Sequence, residues 1–270
     1  MSLAAAASKW RIRMPINDRH REIRLPQQDA KREIGRRTRR DFLVAGVAAA
    51  GAIGGYEWLT NARREDDVPW PQRRVLEFNR KLAQSYLSDS HLMPTYPLSR
   101  VEYLKPNGDV GVDTPLDPAS WHLQVATDQG PALKLSLDDV KSLPKTEMIT
   151  RFCCIEGWSV ISQWGGVRFA DFTNKYLPPG VKLPRYVYMA TSGEDYYVGL
   201  DMKSAMHPQT LLAYEQNGKP LEAVHGAPLR LAIPVKYGIK NIKRIGLIQY
   251  TNTKPGDYWA EEGYDWFAGL

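Results

Sequence analysis

Residues 121–127, WHLQVAT, place Trp121, Leu123 and Val125 at alternate positions, the two-residue period of a half-buried strand. Strand-like runs recur at 148–156, 185–192, 196–201, 227–235 and 244–252. Residues 73–87 follow a different rhythm. Val75, Leu76, Leu82, Ala83, Tyr86 and Leu87 recur at helical spacing. Ser136 and Asp139 stand at capping-box spacing and predict a short helix from 136 to 143. Residues 167–177 predict another helix, stopped by Pro178-Pro179-Gly180. Turns are predicted at 106–109 (PNGD) and at Asn217-Gly218, the latter a hairpin signal. Short strands mixed with short helices imply an α+β fold rather than a doubly wound sheet. No internal repeat is present.

Charge divides the chain. Residues 1–40 hold 12 Lys+Arg and 4 Asp+Glu, whereas the other 230 hold 24 and 26. The net charge of +6 therefore belongs to the N-terminus, and the body offers no basic excess for a nucleic acid. Residues 1–30 read as disordered. An uncharged run of 15 residues, Phe42–Tyr56, follows Arg39-Arg40. It is shorter than the roughly 20 residues of a spanning helix. Thr38–Val44, TRRDFLV, resembles the twin-arginine export motif. That implies passage through the twin-arginine translocase to the periplasm or cell envelope, with the signal either cleaved or left uncut as a membrane anchor. A membrane helix with arginines at its cytoplasmic edge is the alternative. The organisation expected is a disordered N-terminus and signal (1–60), a linker and N-terminal helical part (61–118), and a main domain (119–270).

Two segments carry candidate chemistry. The only two cysteines, Cys153 and Cys154, are adjacent. Bridged Cα atoms usually lie about 4.4–6.8 Å apart, and neighbouring Cα atoms only about 3.8 Å, so an ordinary disulfide is disfavoured. Two buried core thiols, or one thiolate ligand of a soft metal, remain open. The histidines His20, His91, His122, His207 and His225 are scattered and give no zinc spacing. Residues 225–245 gather His225, Arg230, Lys236, Lys240, Lys243 and Arg244 around Gly226 and Gly238, with Gly246 beyond. Glycines that admit close backbone approach, with cations beside them, suit a phosphate-bearing ligand. A strand followed by a solvated basic turn is the plainer alternative.

The segments CIEGW (154–158), GLDMKSAMHPQTLLAYEQNGKPL (199–221) and HGAPLRLAIPVKYGIKNIKRI (225–245) stand in order. Together they resemble the molybdopterin-binding oxidoreductases of the sulfite oxidase fold, over about residues 120–260. The resemblance implies a sulfite oxidase-type molybdopterin-binding domain and a molybdenum-molybdopterin cofactor. It makes Cys154 the metal ligand and sets Glu156 beside the metal. It puts Thr191, His225, Arg230, Asn241, Ile242 and Lys243 in contact with the pterin. It also implies oxygen-atom transfer or related two-electron chemistry, sulfoxide reduction included, on a small-molecule or protein-bound substrate. A membrane haem-b subunit would exchange the electrons, and a monomer is expected. Two departures matter. Residues 91–108 stand where the family has an Asn-rich segment, and the arginines that follow the cysteine in sulfite oxidases are missing. The rival readings are a thiol-based redox protein using Cys153 and Cys154, and a non-catalytic pterin-binding envelope protein.

Overall fold

The computed structural model describes residues 27–65, 67–117, 120–128, 132–177 and 180–270. The chain divides into two units, Met1–Thr60 and Asn61–Leu270. In the first, helix α1 spans Gln27–Thr60. The disorder expected for 1–30 is corrected at its end, since 27–30 are helical; the rest of that stretch lies outside the described residues. The length argument is corrected too. Gly35–Thr60, 26 residues with a hydropathy of 1.4, is long and apolar enough to cross a membrane. At about 1.5 Å of rise per residue, the helix extends its reach by carrying the apolar run on into its polar flanks. A membrane anchor and a signal sequence share this property, and Arg39 and Arg40 lie on the same helix.

The second unit opens on a short antiparallel pair, β1 (Arg64–Glu65) and β2 (Val68–Pro69), which feeds α2 (Trp70–Tyr86). Proline in the first turn of α2 suits a position whose N–H has no helical partner. No α2 residue is fully buried, and Val75, Leu82 and Tyr86 are exposed. Leu87, just past the helix, enters the core.

Then follow β3 (Leu123–Thr127), β4 (Leu133–Leu135), α3 (Leu137–Lys141), β5 (Lys145–Cys153), β6 (Ser159–Arg168), α4 (Phe169–Tyr176) and β7 (Tyr186–Thr191). The chain ends with β8 (Tyr197–Asp201), α5 (Met202–Ala205), β9 (Leu211–Gln216), β10 (Lys219–Pro220), β11 (Arg230–Ala232), β12 (Ile245–Thr251) and α6 (Tyr258–Glu261). One sheet runs β10-β9-β6-β5 with β11 also on β9, all antiparallel. The other runs β4-β3-β12-β7-β8, in which only β3 and β12 are parallel. Val167, Leu212 and Leu231 from the first sheet share one core with Val125, Met189 and Ile248 from the second.

Local signals explain several ends. Ser136 Oγ accepts from the Asp139 amide at 3.2 Å, and Asp139 accepts from the Ser136 amide at 2.8 Å, so the capping box of α3 is complete. Asn217 (φ 51°) and Gly218 (φ 73°) form the β9–β10 hairpin, as two positive-φ residues should. The helix expected from 167 begins at Phe169 because Val167 and Arg168 belong to β6. Within β6, a Cβ on Gly166 would stand 2.1 Å from the Leu212 carbonyl oxygen, so only glycine permits this approach to β9.

Candidate active site

The β5–β6 ladder is the longest antiparallel pairing in its sheet, running from Lys145↔Val167 to Cys153↔Ser159. Its hairpin turn is residues 154–158. The Cys154 amide donates to the Trp158 carbonyl at 2.9 Å and the Gly157 amide to the Cys154 carbonyl at 3.2 Å. Gly157 takes φ 89°, a conformation suited to glycine. This turn makes the paired cysteines unequal. Cys153 ends the strand and is half-buried; Cys154 opens the turn and is buried. Both thiols are free, and burial is the main force pushing each pKa up.

A cavity of about 180 Å³ opens on Cys154. Asn107 Nδ2 lies 3.7 Å from Cys154 Sγ and 3.4 Å from a Glu156 carboxylate oxygen. Trp158 Nε1 donates to the same oxygen at 2.9 Å. These two hydrogen bonds, Trp158 first, hold the exposed Glu156 carboxyl below its ordinary range, so it stays ionised at neutral pH. Phe152, Ile155, Tyr196, Ile239, Trp259 and Tyr264 give the cavity an apolar and aromatic wall. Gly238 lines it as well, and a Cβ there would come within 2.8 Å of the Phe152 ring.

Two cations face this cavity. Arg230 is 2% exposed and donates to the carbonyls of His225 (2.9 Å), Asn241 (3.1 Å) and Leu231 (3.4 Å), with its guanidinium 4.7 Å from the Trp164 ring centroid. Lys243 Nζ donates to the carbonyls of Asn107 (2.9 Å) and Gly108 (2.7 Å). Among the described residues neither forms an ion pair with a carboxylate. Burial lowers the Arg230 pKa to about 10. Burial, then repulsion from Arg230, lowers that of Lys243 to about 8, with Asp109 opposing weakly.

Of the expected site residues, Cys154, Glu156, Arg230, Asn241 and Lys243 line this one cavity. Asn241 does so while its side chain is committed to the protein. Its Oδ1 accepts from the Ile233 amide at 2.8 Å and its Nδ2 donates to the Tyr237 carbonyl at 3.1 Å. Thr191, His225 and Ile242 are not among the lining residues. Thr191 is buried at the end of β7, where its hydroxyl accepts from the Tyr196 amide at 3.2 Å. His225 is buried against the Tyr103 ring, and its carbonyl anchors Arg230. Ile242 is 1% exposed, and its carbonyl accepts from the Leu231 amide.

Three cations of the basic segment are committed to the protein itself. Lys240 pairs with Asp257, Lys236 donates to the Phe267 carbonyl, and Arg244 donates to the carbonyls of Thr114 and Val112. Gly226 and Gly246 serve close packing, against Lys243 and Ser192 respectively. The plainest omission of the sequence reading is Asn107, read only as a turn residue. It lies in the segment 91–108 that has no counterpart in the resemblance. Tyr196, Trp259 and Tyr264 were missed as well, and nothing local in the sequence marks them.

Comparison with known proteins bears on this geometry. Residues 110–259 match the family model described as the oxidoreductase molybdopterin binding domain. A protein of Azospira oryzae, provisionally named protein-methionine-sulfoxide reductase subunit YedZ1, is 34% identical over 90% of this chain and 93% of its own length. The protein-methionine-sulfoxide reductase catalytic subunit MsrP of Xanthomonas campestris is 35% identical over 52% of this chain, which spans 48% of that protein. The sulfane dehydrogenase SoxCD of Paracoccus pantotrophus superposes with a TM-score of 0.47 at 18% identity, covering 52% of this chain and 40% of that one. The family match and the Azospira relative bear out the resemblance carried by the three sequence segments, and the chain belongs to the molybdopterin-binding oxidoreductases.

Proposed function

We propose that the chain is an exported molybdenum-molybdopterin oxidoreductase that reduces sulfoxides. One observation carries the reading. The buried thiol of Cys154 shares a cavity with two cations, Arg230 and Lys243, that have no carboxylate partner among the described residues. A buried charge satisfied only by carbonyls is costly until an anion joins it. A phosphate-bearing cofactor supplies that anion, and a soft metal suits the thiolate. The residues therefore fit the group. Cys154 would hold the metal, and Arg230 and Lys243 the anionic part of the pterin. Asn241 would set the wall, with Thr191, His225 and Ile242 holding it from behind. Among the described residues no cluster of three or more His, Cys, Asp or Glu side chains exists to complete a metal site, so the pterin would supply the other donors.

Bound there, molybdenum-molybdopterin supplies two-electron oxygen-atom transfer. The chain's own residues orient and shield. The Asn107 amide hydrogen-bonds the Cys154 sulfur and ties it to Glu156. Glu156, held ionised, accepts both hydrogen bonds at Oε2, which leaves Oε1 to exchange a proton. The apolar wall excludes water from the reacting group and strengthens each polar contact inside. Reduction of a sulfoxide takes two electrons and two protons and releases a sulfide and water. A membrane haem-b subunit is the proposed electron source. Translocation by the twin-arginine route to the periplasm fits the arginine pair on α1, and a monomer is the proposed state. The thiol-pair alternative is disfavoured because burial pushes both thiols up, away from the reactive thiolate. The experiment is metal and pterin analysis of the purified protein, with turnover of methyl sulfoxides by a reduced dye. About one molybdenum per chain and sulfoxide turnover support the reading. Absence of molybdenum from protein made in a molybdenum-sufficient host overturns it.

A further inference from the structure

The chain holds two Asn-Gly pairs, Asn107-Gly108 and Asn217-Gly218. In such a pair the glycine nitrogen can attack the asparagine side-chain carbonyl, because glycine has no Cβ to hinder the approach. The fold treats the two pairs oppositely. Asn217 Oδ1 accepts from the Gln163 amide at 3.0 Å and the Ser162 hydroxyl at 3.2 Å, and its Nδ2 donates to the Glu102 carbonyl at 3.3 Å. Three hydrogen bonds therefore hold its side-chain amide. Asn107 is exposed, in a segment that is neither helix nor strand. Its Nδ2 makes two long contacts, 3.4 Å to Glu156 and 3.7 Å to the Cys154 sulfur. Among the described residues its Oδ1 accepts no hydrogen bond and the Gly108 amide donates none. Lys243 Nζ donates to the Asn107 carbonyl at 2.9 Å. That carbonyl and the Gly108 nitrogen belong to one peptide group. Loss of the Gly108 proton spreads negative charge onto this oxygen, where the lysine stabilises it.

We propose that Asn107 is a self-modifying position, deamidated to aspartate and isoaspartate with help from Lys243, and that the product lowers the affinity of the Cys154 cavity for an anion. The Gly108 nitrogen gives its proton to water and bonds to the Asn107 Cγ. The Cγ–Nδ2 bond breaks, and the amide nitrogen takes up a proton and leaves as ammonia. Water then opens the cyclic imide. Cleavage of the new bond from the Gly108 nitrogen to Cγ gives aspartate. Cleavage of the bond from that nitrogen to the main-chain carbonyl gives isoaspartate. The sum is a water consumed and an ammonia released, with nothing oxidised or reduced. Either product brings a carboxylate to the cavity that Asn107 lines. In aspartate it replaces the amide that contacts Glu156 and the Cys154 sulfur. In isoaspartate the oxygen that accepts from Lys243 becomes part of the carboxylate, the partner Lys243 lacks among the described residues. Both outcomes reduce the positive charge left for an external anion.

The test ages the full chain, purified without cofactor, at mildly alkaline pH and maps its peptides by mass spectrometry with isoaspartate detection. Conversion is expected at Asn107, and at least about tenfold more slowly at Asn217, whose hydrogen bonds must open first. Lys243→Gln is expected to slow conversion of Asn107 about tenfold, and Lys243→Arg, which keeps the donated charge, to restore most of the rate. Asn217 reports folding within each variant, since a misfolded chain would release it and convert both sites alike. Calorimetry with inorganic phosphate reads the consequence. Phosphate sites per chain should fall in step with conversion of Asn107. Asn107→Gln, whose longer side chain cyclises far more slowly, should keep its sites through the same ageing. An Asn107 that stays intact, or that converts equally fast in wild type and Lys243→Gln, overturns the proposal. So does undiminished phosphate binding by a converted chain. The consequence for anions rests on the reading of Arg230 and Lys243 as cofactor-binding cations. A fresh wild-type chain that binds no phosphate contradicts that reading, and the conversion rates still decide the modification.

Discussion

Two pairs of cations lie within fifteen residues of one another, all buried except the half-buried Lys243, and they are solved differently. Lys240 is wholly buried and pairs with Asp257, itself 2% exposed, while donating to the Gly199 carbonyl at 3.0 Å. Lys236 donates to the Phe267 carbonyl at 2.7 Å, with the Asp201 carboxylate 3.7 Å away. Among the described residues Arg230 and Lys243 have no carboxylate partner, only carbonyls and, for Arg230, the Trp164 ring, and both face the cavity of Cys154. A carboxylate-paired lysine behind the wall fixes the segment 199–267. A carbonyl-paired cation at the cavity fixes its own position but leaves net positive charge for a ligand. The distinction separates structural charge from binding charge inside one sequence segment, which composition alone cannot do.

The cysteines offer the same kind of contrast and the largest expected effect. Cys154→Ser should lower sulfoxide turnover by about three orders of magnitude or more, whereas Cys153→Ser should stay within about threefold. Steady-state kinetics with a reduced dye check both, and equal losses would break the contrast. Next, Asp257→Asn leaves Lys240 buried without its partner. It should cost about 3–5 kcal/mol of stability, read by urea unfolding of the cofactor-free protein. Arg230→Met should act in the opposite place. It removes an uncompensated charge, so its stability loss should be smaller, while cofactor content per chain should fall about tenfold.

The pH behaviour of Lys243 sharpens the comparison further. Its pKa is lowered from the lysine range to about 8 by burial and by Arg230. Below that value folded and unfolded chains are both protonated and the cost of the buried charge is fully expressed. As pH rises from about 8 toward the unfolded lysine value, the unfolded chain binds more protons, so stability rises. Anion affinity runs the other way. Binding of inorganic phosphate by the cofactor-free protein, followed by calorimetry, should weaken as pH rises through about 8, and Lys243→Gln should abolish that dependence. The smallest effect is expected at Glu156. Glu156→Gln keeps the hydrogen-bonding shape but removes a carboxylate held ionised by Trp158 and Asn107. Turnover should fall by about tenfold or less, with a flattened acid limb in its pH profile.

Much of this was legible from residues alone where the signal was local. Alternation marked β3, the Asn217-Gly218 pair marked a hairpin, and Ser136 with Asp139 marked a capped helix. The unread elements depend on tertiary pairing. The strand β6 contains Gly165-Gly166 and is buried along nearly its whole length, so it shows no alternation. Its glycines make sense only against β9. The cavity follows the same rule. Cys154, Glu156, Arg230 and Lys243 came from compact segments, whereas Asn107 reaches Cys154 from 47 positions away. Lys236 and Lys240 looked like ligand cations because their carboxylate partners, Asp201 and Asp257, are distant in sequence. Thr191, His225 and Ile242 are buried and do not line this cavity, and spacing along the chain does not encode depth.

The central claim is that Cys154, and not Cys153, is the protein's ligand to molybdenum. X-ray absorption at the molybdenum edge measures the number of sulfur neighbours directly. The account predicts about three sulfurs in wild type and in Cys153→Ser, and about two in Cys154→Ser, because one thiolate would join two pterin sulfurs. A sulfur shell unchanged by Cys154→Ser, or one diminished by Cys153→Ser, would contradict it.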